Sequence, residues 1–202
     1  MKKIDRETVK GKFLFAISSI AAVVVIGAVL FSKSMSLMCK IADYNIQKGN
    51  FNSAITILEN MGNYKKSRNL LDEAYYKSGE KCYLSNNITE AKEYFIRAEE
   101  CSDAKIKVGE IDFLLKIQGE WKNEKGEIII DGTKASAESS AFSLNEDSSI
   151  YIIDAEKSKF TFYSSDDYLF YFELGKDGRL HQFNFNEKTD NFSEAAVFEK
   201  QL

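Results

Sequence analysis

The chain has 202 residues, of which 44% are hydrophobic and 29% charged, so it is neither disordered nor fibrous and has room for one or two domains. Its net charge is −4, but five of the 27 basic and two of the 31 acidic residues lie in the first twelve positions, which leaves −7 for the remainder. This acidic remainder is a poor electrostatic match for nucleic acid or anionic lipid, and no nucleic-acid partner is expected.

The N-terminal region predicts a single transmembrane helix at residues 13–32, after a short basic tail at 1–12. The twenty residues hold no charge, and twelve of them are Phe, Leu, Ile or Val. At 1.5 Å per residue they span roughly 30 Å, the thickness of a bilayer core. Their apolar side chains contribute about −4 to −7 kcal/mol to insertion. A cleaved signal peptide is the alternative, although its apolar region is normally about 7–15 residues long.

The basic tail predicts the orientation of this helix in the cell membrane. Its five positive residues are Lys2, Lys3, Arg6, Lys10 and Lys12. Because positively charged flanks stay in the cytoplasm, the N-terminus is expected to be cytoplasmic and residues 33–202 extracytoplasmic.

Between residues 33 and 118, helical periodicity and turn signals predict an all-α region of short helices. The expected helices are 35–48, 52–61, 66–85, 89–100 and 103–117. The first is expected to continue from the membrane span, because 33–40 holds no helix breaker. Thr89 and Ser102 are predicted to be N-cap residues. The three cysteines (Cys39, Cys82 and Cys101) lack CxxC spacing, which argues against a zinc site; two buried thiols or a Cys82–Cys101 bridge both stay open.

An internal repeat lies within this helical region, since residues 42–67 align with 79–104 without a gap at an offset of 37. The aligned packing positions are Ala42, Ala54, Leu58 and Met61 in the first copy and Gly79, Ala91, Phe95 and Ala98 in the second. Small residues let two helices approach closely, and the larger Leu58 and Phe95 fill the space one turn later.

This pattern resembles the tetratricopeptide repeat, in which a small residue on the first helix faces an Ala, a large residue and another Ala on the second. The early Trp and the closing Pro of that family are missing, and the period of 37 differs from its usual 34 or so. The resemblance implies stacked helical hairpins that either form a concave surface for a protein partner or serve as a packed spacer.

At Gly119 the pattern changes to short alternating runs, which predict an antiparallel β meander curled into a small barrel over 119–202. The expected strands are 120–123, 127–131, 137–144, 149–154, 158–164, 168–174, 179–186 and 194–200. The turn clusters that separate them are 123–126, 131–132, 145–147, 165–167, 175–178 and 190–191. Gly119-Glu120-Trp121 resembles the opening of lipocalin-like barrels, in which the Trp closes the barrel floor.

Aromatic residues dominate the predicted barrel. Those expected to line a pocket for a small apolar ligand, or else to fill the core, are Trp121, Phe160, Phe162, Phe170, Phe172, Phe183 and Phe185. Tyr163, Tyr168 and Tyr171 are expected at the surface, where they would make it adhesive.

Residues that carry catalytic chemistry are sparse. The single histidine, His181, stands in no recognisable motif, and the Asp166-Asp167 pair is expected in a solvated turn. The sequence contains no nucleophile elbow, phosphate loop or His-x-x-x-His pair. We therefore expect no catalytic residue, metal or cofactor. The expected function is that of a membrane-anchored, extracytoplasmic interaction or scaffold protein resembling bacterial single-pass proteins with degenerate tetratricopeptide repeats. A module that binds a small apolar ligand in the barrel is the alternative.

Overall fold

A computed structural model describes residues 6–62, 64–139, 143–162 and 170–201. Within these residues, five helices precede eight strands. The helices are α1 (Arg6–Gln47), α2 (Phe51–Asn60), α3 (Lys65–Leu84), α4 (Ile88–Arg97) and α5 (Ser102–Ile117). The strands are β1 (Gly119–Asn123), β2 (Gly126–Asp131), β3 (Lys134–Ser139), β4 (Ser143–Asp154), β5 (Lys159–Phe162), β6 (Phe170–Leu174), β7 (Leu180–Asn186) and β8 (Asn191–Lys200). The predicted order of an apolar helix, further helices and an antiparallel barrel is confirmed.

Helix α1 is continuous over 42 residues, a length of about 63 Å. It contains the predicted span and runs past Lys33 without a break, as expected. Large apolar side chains between Val24 and Phe31 are mostly 49–64% exposed. Among the described residues, Val24–Gln47 is the one stretch long and apolar enough to cross a membrane, a property that an N-terminal signal sequence shares.

The chain divides into two compact units, Met1–Ala74 and Tyr75–Leu202. In the first unit α1 packs against α2 across a turn at Gly49, whose positive φ of 76° ends α1. Ala42, Ala54 and Leu58 have no exposed surface, and Met61 is also buried. The four packing positions of the first repeat therefore lie in the core of this unit.

The second repeat lies in the second unit, and its four positions, Gly79, Ala91, Phe95 and Ala98, are likewise buried. A Cβ atom on Gly79 would lie 2.8 Å from the ring of Phe95, closer than side chains pack. The absence of a side chain on α3 thus makes room for the aromatic ring on α4.

The two predicted N-caps are wrong. Helix α4 begins at Ile88, and the side chain of Asn87 accepts a hydrogen bond from the backbone of Glu90 while donating to its carboxylate at 2.6 Å. These two hydrogen bonds identify Asn87 as the N-cap residue, two residues before the predicted Thr89. Ser102 is the first residue of α5 rather than its cap; Cys101 occupies that position and makes no capping hydrogen bond to the described residues.

Each strand pairs antiparallel with the next, and β8 pairs with β1 to close the barrel. The closing ladder is short, with register pairs Trp121–Lys200 and Lys122–Glu199. Two side chains extend it, since Asn123 donates to the carbonyl of Val197 at 3.1 Å and Lys125 to that of Ala195 at 3.3 Å. The closure leaves no long free edge between β1 and β8.

Most predicted turns are present, with positive φ at Gly126, Gly132 and Gly178. The expected turn at 145–147 is wrong, because these residues lie inside β4. The expected strand 137–144 covers the end of β3 and the start of β4, and its residues 140–142 lie outside the described ranges. The register of β4 against β3 shifts here, from Ala137–Leu144 to Ala135–Ser148, and such an irregularity accommodates extra residues without ending the strand. The expected turn at 165–167 and the side chains of Tyr163 and Tyr168 lie outside the described residues.

Helix α5 contacts the barrel interior. The indole N–H of Trp121 donates to the carbonyl of Ile117 at 2.7 Å, and the ring of Phe113 lies 5.8 Å from that of Phe160. Trp121, Ile117 and Phe113 are all buried. The last helix is therefore part of the barrel core, which explains why both belong to one unit.

A second contact joins the α3–α4 connection to the β2–β3 hairpin. Asn86, with a φ of 62°, accepts hydrogen bonds from the backbone N–H and the hydroxyl of Thr133 at 2.7 and 3.0 Å. Its amide donates to the carbonyl of Asp131 at 3.1 Å. Gly132 lies so close to Asn86 that a side chain there would collide with the amide. The side chain of Asn86 thus hydrogen-bonds to both residues that flank Gly132 at the tip of the hairpin.

The three cysteines are free thiols. Cys39 is buried, whereas Cys82 and Cys101 are half-buried. The bridge between Cys82 and Cys101 that the sequence left open is therefore not formed in this structure.

Candidate functional site

The barrel interior holds five of the seven aromatic residues singled out in the sequence. These are Trp121, Phe160, Phe162, Phe170 and Phe172, all buried. Their rings contact one another, with centroids 5.5 Å apart for Phe160–Phe172 and 5.2 Å for Phe162–Phe172. Such spacing is that of a packed aromatic core.

The other two, Phe183 and Phe185, lie on the outer face of the barrel. Across the ladder, Gln182 pairs with the buried Phe172 and Asn184 with the buried Phe170, so these two amides point inwards. Because strand side chains alternate, their neighbours Phe183 and Phe185 point outwards. This half of β7 therefore reverses the usual arrangement, with amides inside and aromatic rings outside.

Four rings form a contiguous cluster on this outer side, which we call the aromatic face: Tyr171, Phe183, Phe185 and Phe192. Tyr171 stacks on Phe183 with centroids 4.9 Å apart and planes at 14°. The ring centroid of Phe192 lies 5.0 Å from that of Tyr171 and 5.3 Å from that of Phe185. The Phe192 residue is 40% exposed. The other three rings are half-buried. Tyr171 was expected at the surface, but the cluster was not predicted.

Phe192 was not singled out in the sequence, although a signal for it exists. It follows the Asp190-Asn191 turn on β8 and pairs directly with Phe185 on β7. Residues placed symmetrically about a hairpin turn point to the same side of the sheet. The pairing of Phe185 with Phe192 could therefore have been predicted from the position of the turn.

The surface beside the aromatic face carries further exposed groups. The ammonium of Lys159 lies 4.7 Å from the ring centroid of Tyr171 and 3.4 Å from the carboxylate of Glu173. On β4, Tyr151 is 65% exposed and Ile153 is 50% exposed. The outer surface from β4 to β8 thus combines apolar side chains with the ammonium group of Lys159, which contacts one of the rings.

His181 lies on the same outer side, between two carboxylates. Its Nδ1 is 2.7 Å from Glu194 on β8, and its Nε2 is 3.2 Å from Asp177 in the turn before β7. The hydrogen bond to Glu194 raises the pKa of His181, partial burial opposes this, and the bond to Asp177 raises the pKa further. Both ring nitrogens contact carboxylates, so the imidazole, when protonated, joins two strands and a turn.

Inside the barrel, Gln182 is the buried polar residue that stands out. It is 2% exposed, and its amide nitrogen donates to the side chain of Asn184 at 2.9 Å. Its Oε1 atom has no hydrogen-bond partner in the described part of the chain. An unpaired buried acceptor is costly, so this atom can accept a hydrogen bond from a small molecule or water.

Within the described ranges, no group of three or more His, Cys, Asp or Glu side chains is arranged to hold a metal ion. Comparisons with known protein families, curated proteins and solved structures find no match to this chain. The resemblances to tetratricopeptide repeats and to lipocalin-like barrels therefore rest on the residue patterns alone.

Proposed function

We propose that this chain is a non-enzymatic, membrane-anchored interaction protein that binds a protein partner through the aromatic face. The observation that carries the proposal is the contiguous cluster of Tyr171, Phe183, Phe185 and Phe192 on the solvent side of a closed barrel. The core does not need these rings, since other aromatic residues fill it. Contiguous apolar clusters on a surface are typical of interaction sites, and Tyr and Phe are enriched there.

The anchor in this proposal is the apolar part of α1, with the basic tail in the cytoplasm and the barrel outside. Support comes from the uncharged run at 13–32 and from the exposure of its described apolar side chains. The helices that follow are proposed to be tetratricopeptide-like hairpins that act as a scaffold. Two repeat copies make a short array, so we place the binding function on the barrel rather than in a groove between helices.

The engagement of His181 supports a non-enzymatic role. Both of its ring nitrogens contact carboxylates, at 2.7 and 3.2 Å, so neither is free to take a proton from a substrate. The arrangement serves as an ion pair within the sheet.

Site-specific photo-crosslinking in the intact membrane tests the partner proposal. A photoreactive residue in place of Phe192 is expected to give one adduct of defined mass. Ile129, on β2, is the matched control, because it is 42% exposed against 40% for Phe192. Equal adducts from both positions, or none from position 192, would contradict the proposal.

The anchor is tested separately. The full chain is expected to stay with the membrane after an alkaline carbonate wash and to retain its N-terminal residues. Release into the wash, or a mature chain that begins beyond Ser34, would show instead that the apolar segment is a cleaved signal.

A second candidate function is the binding of a small ligand within a lipocalin-like barrel. Gln182 favours it, because a closed barrel with an unpaired interior acceptor suits a ligand that donates a hydrogen bond. Native mass spectrometry of the full chain in detergent would show the ligand as an added mass. A clean apo mass, with no thermal shift across lipid and small-molecule panels, would count against it.

A further inference from the structure

We infer that the partner segment that binds the aromatic face is a basic stretch of protein in which arginine or lysine alternates with apolar residues. The inference rests on the proposed function and names the chemistry of its partner. It starts from charge, because residues 119–202 hold 9 basic and 17 acidic residues, a net charge of −8. A domain of this charge attracts cationic segments over a distance and selects among partners by sign.

Acidic side chains also surround the aromatic face locally. Glu194 pairs across the ladder with Phe183, and Glu173 is 36% exposed on the same side of β6 as Tyr171. The β7–β8 turn, which follows the paired Phe185 and Phe192, adds the exposed Glu187 and Asp190. The rings are thus bordered by carboxylates, the arrangement that complements a basic segment.

The positive groups on this side offset only part of the negative charge. Lys159 contacts Tyr171 and Glu173, and His181 contacts Glu194 and Asp177. Lys188 shares the β7–β8 turn with its two acids. Five carboxylates on this side (Glu173, Asp177, Glu187, Asp190 and Glu194) face three positive groups, counting His181 as protonated, so the surface that a partner meets keeps a net negative charge.

The structure also contains an example of the contact that we infer. The ammonium of Lys159 lies over the Tyr171 ring, 4.7 Å from its centroid, which is the geometry of a cation–π interaction. Phe192 offers a second ring, 40% exposed, beside it. Arginine is the better match for such a ring, because its planar guanidinium stacks on aromatic faces and forms paired hydrogen bonds with carboxylates.

Other occupants fit less well. A second copy of this chain would bring another domain of net charge −8 against the first, and an anionic lipid surface would repel the same carboxylates. An alternating basic and apolar segment places its apolar side chains on the rings and its cations on the carboxylate border. An extended peptide has this two-sided geometry.

Fluorescence anisotropy with the full chain in detergent tests the inference. The probe is a labelled twelve-residue peptide that alternates arginine with valine, and its counterpart has glutamate in place of arginine. We expect saturable binding of the arginine peptide, weakening with salt, and no binding of the glutamate peptide. Phe192→Ser is expected to weaken binding about fivefold, whereas Ile129→Ser, at matched exposure, leaves it unchanged.

Binding of both peptides, or equal loss in both serine variants, would overturn the inference, because either result indicates general adhesion. Two further arms address the other occupants: flotation with vesicles containing phosphatidylserine, and sedimentation of the chain alone. Vesicle binding or self-association that depends on Phe192 would assign the face to lipid or to a second copy. A specific adduct at position 192 without binding of the arginine peptide would leave the proposed function standing and refute only the basic partner.

Discussion

Asn86 is predicted to be the residue that couples the helices to the barrel within the second unit. Replacing it with alanine removes three hydrogen bonds, two from Thr133 and one to the carbonyl of Asp131. Each such bond contributes about 0.5–1.5 kcal/mol net, and the half-buried site favours the lower part of that range, about 2 kcal/mol for the three. Asparagine tolerates the φ of 62° better than alanine does, and this difference adds about 1 kcal/mol to the cost of the alanine variant. Asn86→Ala should therefore destabilise the unit by about 3 kcal/mol.

Two matched variants separate these contributions. Asn86→Gly loses the same hydrogen bonds but tolerates the backbone angle, so it should cost about 2 kcal/mol. Thr133→Ala removes only the hydroxyl and leaves the backbone donor, so about 0.5–1 kcal/mol is expected. Urea unfolding of the full chain in detergent measures all three, and the fluorescence of Trp121, the single tryptophan, reports on the barrel core.

A result of less than about 0.5 kcal/mol for both Asn86 variants would refute the reasoning, because the hydrogen bonds would then have no net effect. An equal loss of unfolding free energy in Asn86→Ala and Asn86→Gly would refute the contribution assigned to the backbone angle. The double variant Asn86→Gly with Thr133→Ala is expected to cost less than the sum of its single changes, since both remove the same bond. Strict additivity would show that the two side chains act independently.

Three further predictions concern His181, the aromatic residues and the repeat. Because the folded pKa of His181 is raised above its ordinary value of 6.5, its ion pairs stabilise the fold fully below that pH and lose effect as the pH rises through the folded pKa. The difference in unfolding free energy between wild type and His181→Gln should thus shrink from pH 6 to pH 8.5; a constant difference would contradict this. Phe172→Ala should cost about 3–5 kcal/mol in urea unfolding and Phe192→Ala less than about 1, since only the first creates a cavity. Gly79→Ala should cost about 1–3 kcal/mol by forcing the Phe95 ring aside, and Phe95→Leu should recover part of that loss; equal effects in both backgrounds would refute the contact.

The features that local chemistry controls were predictable from the sequence. Helix α1 continues past Lys33 because no helix breaker interrupts it. The change from helices to strands at Gly119 follows from a change of period that neighbouring residues alone determine. The N-cap at Asn87 was also available in principle, since Glu90 stands three residues after it.

Features that depend on distant strands were not predictable in the same way. Residues Gln182 to Phe185 alternate clearly, but alternation alone does not tell which side faces inwards. A preference for burying rings would have placed Phe183 and Phe185 inside. Pairing with Phe170 and Phe172 on β6 decides otherwise, because those two rings already occupy the interior and their cross-strand partners must point the same way. The aromatic face therefore results from competition for a small core.

An irregularity in β8 explains how that face is completed. Between the pairs Gln182–Ala196 and Phe183–Glu194, β8 contains one extra residue, Ala195, so its alternation shifts by one. Without this bulge, Glu194 would pair with Asn184 and turn its carboxylate inwards, where burial of an unpaired charge is strongly unfavourable. With it, Glu194 lies outside and contacts His181 at 2.7 Å, and Phe192, two residues earlier, also points outwards to meet Phe185. The bulge at Ala195 therefore places both Glu194, the partner of His181, and the ring of Phe192 on the outer side. Strict alternation along the β8 sequence would not have predicted this.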